Sequence, residues 1–168
     1  MRFTPAAAAL SLALALTASV GFGAERTPDP RAVTLAEEGR AQMAAGAVQD
    51  AIDSFEAALV LDPAYTAVFL DLGEAARAEG LQGKAIRYYR EALSREPGNL
   101  AALSGEGAAL AEKGAIERAR RNLAQLQSLC GDSCAETRQL AAAVQRGPLP
   151  GNVMTAEAVT PETTVTAN

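Results

Sequence analysis

Histidine and tryptophan are absent from the chain, and aromatic residues make up only 4% of it. Without histidine it lacks the commonest general base and the commonest metal ligand together. No nucleophile elbow, metal-spaced cluster or catalytic-triad pattern takes its place, so the sequence points away from an enzyme and needs no metal or cofactor. Ser104-Gly105-Glu106-Gly107 resembles a fragment of a glycine-rich phosphate loop. It falls inside a helical stretch with no strand before it, where the phosphate-cradling turn is not formed. Runs of positive charge are missing too. Fifteen Lys and Arg stand against 20 Asp and Glu, a net charge of −5. An acidic chain without a basic block is poorly suited to nucleic acid or anionic lipid.

The chain opens on an apolar run. Met1-Arg2 gives a short positive start, Ala6 to Val20 carries no charge, and Gly21-Phe22-Gly23-Ala24 supplies small residues. This is the layout of a secretory signal peptide over residues 1–23, with cleavage expected after Gly23. Left uncleaved, the same run would be nearly long enough to anchor the chain in a membrane, and membrane contact is expected only in that case. Either way the chain is expected to be exported, as a periplasmic or secreted bacterial protein. Residues 24–30 read as a polar linker. Asp29-Pro30 then fits a helix start, with Asp as N-cap and Pro in the first turn.

From there the sequence repeats every 34 residues. Gly39, Gly73 and Gly107 hold that spacing, as do Gly46, Gly80 and Gly114, and Ala51, Ala85 and Ala119. Phe55, Tyr89 and Leu123 keep the same phase, and so do Pro63 and Pro97. A period of this size, with helix-forming stretches between the glycines, predicts an all-α solenoid of helical hairpins. The spacing predicts helices over 31–45, 48–61, 65–79, 82–95, 99–113 and 116–129. Gly46, Gly80 and Gly114 stand where each first helix must reverse. Gly39, Gly73 and Gly107 lie mid-helix, where glycine costs about 1 kcal/mol relative to alanine. Tolerating that three times in register implies close packing, with Ala51, Ala85 and Ala119 facing the glycines. Phe55, Tyr89 and Leu123 would then fill the space between neighbouring pairs.

On these small, small and aromatic positions the chain resembles a tetratricopeptide repeat protein, with repeats at 32–65, 66–99 and 100–131. It departs from that motif at Leu35, Phe69 and Leu103, where the family has Trp, and at Gln42, Ala76 and Leu110, where it has Tyr. The last copy has Leu126 for a small residue and Gly131 for Pro. The resemblance implies a concave groove lined by one stripe of each first helix. Here that stripe is Val33, Ala36, Arg40 and Met43, then Ala67, Leu70, Glu74 and Arg77, then Ala101, Ser104, Ala108 and Ala111. It implies a protein or peptide partner, with Met43 and Leu70 as anchors and Arg40 and Arg77 setting register. The family's clamp for a C-terminal carboxylate needs Lys and Asn on this surface. Val33, Ala67 and Ala101 stand at one of its rows, so that subfamily is disfavoured. The stripe could also be covered by the chain's own spacer or tail.

After the third repeat, Ser133-Cys134-Ala135-Glu136 reads as a capping box opening a final helix to 146, within a capping segment 132–146. Its inner side would be Thr137, Leu140, Ala141 and Val144, and its outer side Arg138, Gln139, Gln145 and Arg146. Such a polar-backed helix closes the exposed end of a solenoid. Cys130 and Cys134, the only cysteines, are expected to form a disulfide pinning this helix to the third repeat. A redox-active pair or two reduced thiols are the alternatives. Residues 147–168 carry prolines and threonines without an apolar period and read as a disordered tail. The expected function is an exported interaction scaffold that docks a peptide or helix in its groove. The alternative is a periplasmic assembly factor within an envelope complex serving cytochrome, pilus or cell-wall machinery.

Overall fold

Seven helices follow one another along residues 26–150, the part of the chain that the computed structural model describes. They are α1 (Pro30–Ala44), α2 (Val48–Leu61), α3 (Thr66–Ala78), α4 (Gln82–Arg95), α5 (Leu100–Glu112), α6 (Ile116–Cys130) and α7 (Ala135–Arg146). The expected signal peptide, and the tail from 151 onward, lie outside the described residues. The pairs α1–α2, α3–α4 and α5–α6 form hairpins, each stacked on the next, and α7 packs against both helices of the third. The described residues contain no strand.

Each hairpin reverses by the same device. The Ala47 N–H bonds the Gln42 carbonyl at 2.9 Å, Leu81 bonds Ala76 at 2.8 Å, and Ala115 bonds Leu110 at 2.8 Å. This six-to-one closure needs a left-handed residue just past the helix. Gly46, Gly80 and Gly114 provide it with φ of 80°, 72° and 91°. At the other ends, Asp29 accepts the Arg31 N–H with Pro30 at the first helical position, and Asn99 accepts the Ala102 N–H. The linker before α1 is held in place. The buried Asp62 carboxylate accepts from Arg26 Nη1 at 2.6 Å and from the Asp29 and Ala64 N–H groups at 3.0 and 3.1 Å. The Arg26 guanidinium and these backbone donors hold the Asp62 carboxyl below its ordinary range.

The mid-helix glycines are notches for rings. A Cβ on Gly39 would stand 2.5 Å from the Phe55 ring, and one on Gly73 2.7 Å from the Tyr89 ring. The rings therefore seat directly on the glycines of their own hairpin, where the period suggested a filling between hairpins. Ala51, Ala85 and Ala119 are wholly buried beside them. Tyr89 is gripped a second time, because a Cβ on Gly105 of the next hairpin would lie 2.4 Å from it. The third notch departs from the pattern. Gly107 receives Leu140 of α7, at 2.5 Å from a would-be Cβ, and Leu123 is left half-buried. The capping helix thus supplies the plug that the shorter Leu123 does not.

Two further expectations at this end are corrected. The Ser133–Glu136 capping box does not form. The helix begins at Ala135, so Cys134 holds the N-cap position without a side-chain cap bond and Ser133 falls in the preceding turn. Residues 147–150, read as the start of the disordered tail, pack back on α5. The Leu149 N–H donates to the Glu112 carbonyl at 3.0 Å, and Pro148 meets the Gly114 turn.

Gly73→Ala gains helix propensity of about 1 kcal/mol, but its methyl group must displace the Tyr89 ring, an overpacking that costs about 1–3 kcal/mol. The variant should be less stable than the parent in urea unfolding. Combining it with Tyr89→Leu should make the alanine neutral or favourable, and an equal loss in both backgrounds would refute the notch.

Candidate functional site

The first helices α1, α3, α5 and then α7 stand side by side and form the concave wall. Two open cavities run along it. One, about 370 Å³, is lined by Arg40, Met43, Ala44, Phe55, Asp71 and Glu74. The other, about 530 Å³, takes Leu70, Glu74, Arg77, Tyr89, Ala101, Ser104, Gly105 and Ala108 from the repeats, and Glu136, Gln139, Ala142, Ala143 and Arg146 from α7. Glu74 lines both, so the two cavities adjoin at its side chain and together mark a trough along the wall.

Of the residues predicted to line it, Met43 and Leu70 are half-buried, packed on the first and second core clusters with an edge in the trough. Glu74 is exposed at the junction. Val33 is half-buried and lies in neither cavity. Ala36 and Ala111 are wholly buried, because their stripe turns into the stacking interface.

The two arginines expected to set a partner's register are engaged within the chain. Arg40 bonds Asp71 through Nη2 at 2.8 Å and Nε at 3.2 Å. Arg77 holds Glu112 in a two-point grip, Nε to Oε2 at 3.1 Å with Nη2 on Oε1. Gln82 Nε2 adds a third donor to that carboxylate at 3.3 Å. The hydrogen bonds they donate to Asp71 and Glu112 raise the pKa of Arg40 and Arg77 respectively, so both are fixed cations. Ser104 is also committed, its Oγ donating to the Glu136 carbonyl at 3.2 Å. These contacts join α1 to α3, α3 to α5 and α5 to α7. They fix the spacing of the wall.

The sequence reading missed Asp71, Tyr89 and the α7 contribution. Gln139 and Arg146, read as outward-facing, line the trough. Extending the stripe one period from Ala101 and Ser104 points to Ala135 and Arg138. The structure uses Glu136 and Gln139, one residue later, because α6 runs one residue longer than α2 or α4 before the turn. Tyr89 had a signal in Gly105, an extra glycine with no counterpart in the other hairpins.

The Cys130 and Cys134 sulfurs are 2.20 Å apart, with Cα atoms at 5.8 Å, across the turn between α6 and α7. Glu136 stands beside them, the third of a group of possible metal donors. No helix among the described residues is long and apolar enough to cross a membrane.

Burial pushes the Tyr89 hydroxyl up to about 12, against a small opposing pull from Arg77. In the unfolded chain a tyrosine ionises near pH 10. The neutral ring therefore contributes stability that is complete below about pH 10 and is lost as pH rises toward about 12. Urea unfolding across that window should show the decline, and Tyr89→Phe should flatten it. An unchanged slope in the variant would place the effect elsewhere.

No protein-family model matches the sequence, and no curated protein does. Solved structures do match. The TPR domain of Sgt2 from Aspergillus fumigatus aligns with a TM-score of 0.65 at 26% identity, over 71% of this chain and 81% of that one. The Yersinia enterocolitica type III secretion chaperone SycD, in complex with a peptide of the translocator YopD, gives 0.59 and 26%, over 67% and 86%. The first TPR of Spaghetti (RPAP3), bound to the HSP90 peptide SRMEEVD, gives 0.64 and 21%, over 71% and 95%.

Proposed function

We propose that this chain, a tetratricopeptide repeat solenoid, is an interaction scaffold that holds an extended or helical segment of a partner protein along its concave wall. The observation that carries the reading is the pair of cavities along α1, α3, α5 and α7 that adjoin at Glu74. Small residues form the second of them, with Ala101, Ser104, Gly105, Ala108 and Ala142 opening about 530 Å³ for a partner's side chains. Met43 and Leu70 offer apolar edges, and an amphipathic segment laid in such a trough is held by side chains spaced along one face. The likeness to SycD, whose structure holds a peptide of YopD, supports the same use. With Arg40 and Arg77 tied to Asp71 and Glu112, selectivity falls to shape and to Glu74 and Arg146.

The scaffold would work outside the cytoplasm. The layout of residues 1–23 and the Cys130–Cys134 spacing support this, since disulfides persist in oxidising compartments. Alkylation of protein taken from cells should leave both cysteines unmodified until a reductant is added. Modification without reductant would remove this support.

A photocrosslinker at exposed Ala101 or Ala142, introduced in intact cells, should trap a discrete partner, whereas one at Ala124 on the convex side should not. Ala101→Trp with Ala142→Trp fills the trough without touching the core. It should weaken binding of the trapped segment at least about tenfold, as blocking a central pocket does, with the thermal melt unchanged. The same crosslinks from all three positions, or undiminished binding by the filled variant, would refute the groove.

A further inference from the structure

The convex side carries a charge pattern that the groove does not use. On α2, Asp50, Asp53 and Glu56 are all exposed, and the helix holds no cation. One 34-residue period later the same positions on α4 are Lys84, Arg87 and Arg90, also exposed. Another period on, α6 has Arg118 and Arg121. Equivalent positions on stacked hairpins leave the convex face in the same direction, so an acidic row stands one hairpin away from a basic one. Arg90 is paired with Glu106. Asp50, Asp53, Glu56, Lys84 and Arg87 make no ion pair among the described residues.

Beside the basic row lies a cavity of about 400 Å³ whose floor is aromatic. Phe69 rises into it from α3, Tyr88 from α4, and Lys84, Arg87, Arg90 and Glu91 complete the lining. The Lys84 ammonium stands 5.7 Å from the Tyr88 ring centre, and the Arg95 guanidinium 4.4 Å from that of Phe69. Val60, at the end of α2, is 80% exposed and adds apolar surface to the acidic side.

We infer that a second copy of this chain docks on the convex face, across a two-fold axis between the α2 and α4 rows. A two-fold interface sets each residue of one patch against its complement on the other chain. With the axis there, Asp50 and Asp53 of each copy meet Lys84 and Arg87 of the other, and the aromatic cavity lies at the centre. Shifting the axis by one hairpin would set the α4 cations Lys84 and Arg87 against Arg118 and Arg121 of α6 on the other copy, and opposed like charges are strongly disfavoured. The charge pattern therefore favours the register with the axis between α2 and α4, which opposes no two like rows. The concave trough stays open in the dimer.

Sedimentation velocity on the purified chain, over a range of concentrations, tests the inference. A dimer should form at low salt and weaken at least about tenfold between about 0.01 and 0.3 M NaCl, as the Debye length shrinks several-fold. Asp50→Lys with Asp53→Lys should leave a monomer, and so should Lys84→Glu with Arg87→Glu, each retaining full helicity by circular dichroism. Mixing the two reversed variants should restore a heterodimer, which a folding defect could not produce. Arg118→Glu with Arg121→Glu should dimerise like the parent. A chain monomeric at every concentration in low salt would overturn the inference. So would a dimer indifferent to both reversals, a mixture that stays monomeric, or a dimer broken only by the α6 reversal.

Discussion

A ring seated on a helix backbone at glycine is the contact on which the rest of this solenoid depends. Phe55 on Gly39 and Tyr89 on Gly73 let the two helices of a hairpin approach more closely than any side chain would permit. Tyr89 goes further, since Gly105 of the following hairpin grips its other side. A single residue thereby ties the second repeat to the third. Leu140 performs the closing version of the same contact on Gly107, so the capping helix is part of the packing scheme. In a solenoid each unit contacts only its neighbours, and stability rests on such interfaces.

The concave wall inherits its shape from those contacts. Once the hairpins are stacked, three polar links span the neighbouring first helices: Arg40 to Asp71, Arg77 to Glu112, and Ser104 to the Glu136 carbonyl. The charged groups nearest the trough are thus largely used in building it. What is left uncommitted along the trough is a strip of small residues with apolar edges.

Much of the fold was legible because the period constrains backbone positions directly. Gly46, Gly80 and Gly114 are demanded by left-handed turns, and alternatives there carry steric strain. The groove stripe was legible in its middle, at Met43, Leu70, Glu74 and Arg77, for the same reason. Legibility failed where the period broke. The extra residue of α6 rotated the α7 stripe, so Gln139 and Arg146 were placed on the wrong side. Short Leu123 gave no hint that Leu140 would replace it on Gly107. The partners of Arg40 and Arg77 were missed because Asp71 and Glu112 lie 31 and 35 residues away, on a neighbouring helix that a one-helix stripe does not display. Ser133 failed as a cap because a turn residue's role depends on where the helix actually begins.

Native-state hydrogen exchange, followed along the chain at increasing sub-denaturing urea, addresses the central claim most directly. If Tyr89 joins the second and third hairpins, the slow amides of α3, α4 and α5 should share one opening free energy and one dependence on urea. Protection of α5 and α6 that is lost at clearly lower urea than that of α3 and α4 would contradict the account, because the hairpins would then be opening as separate units.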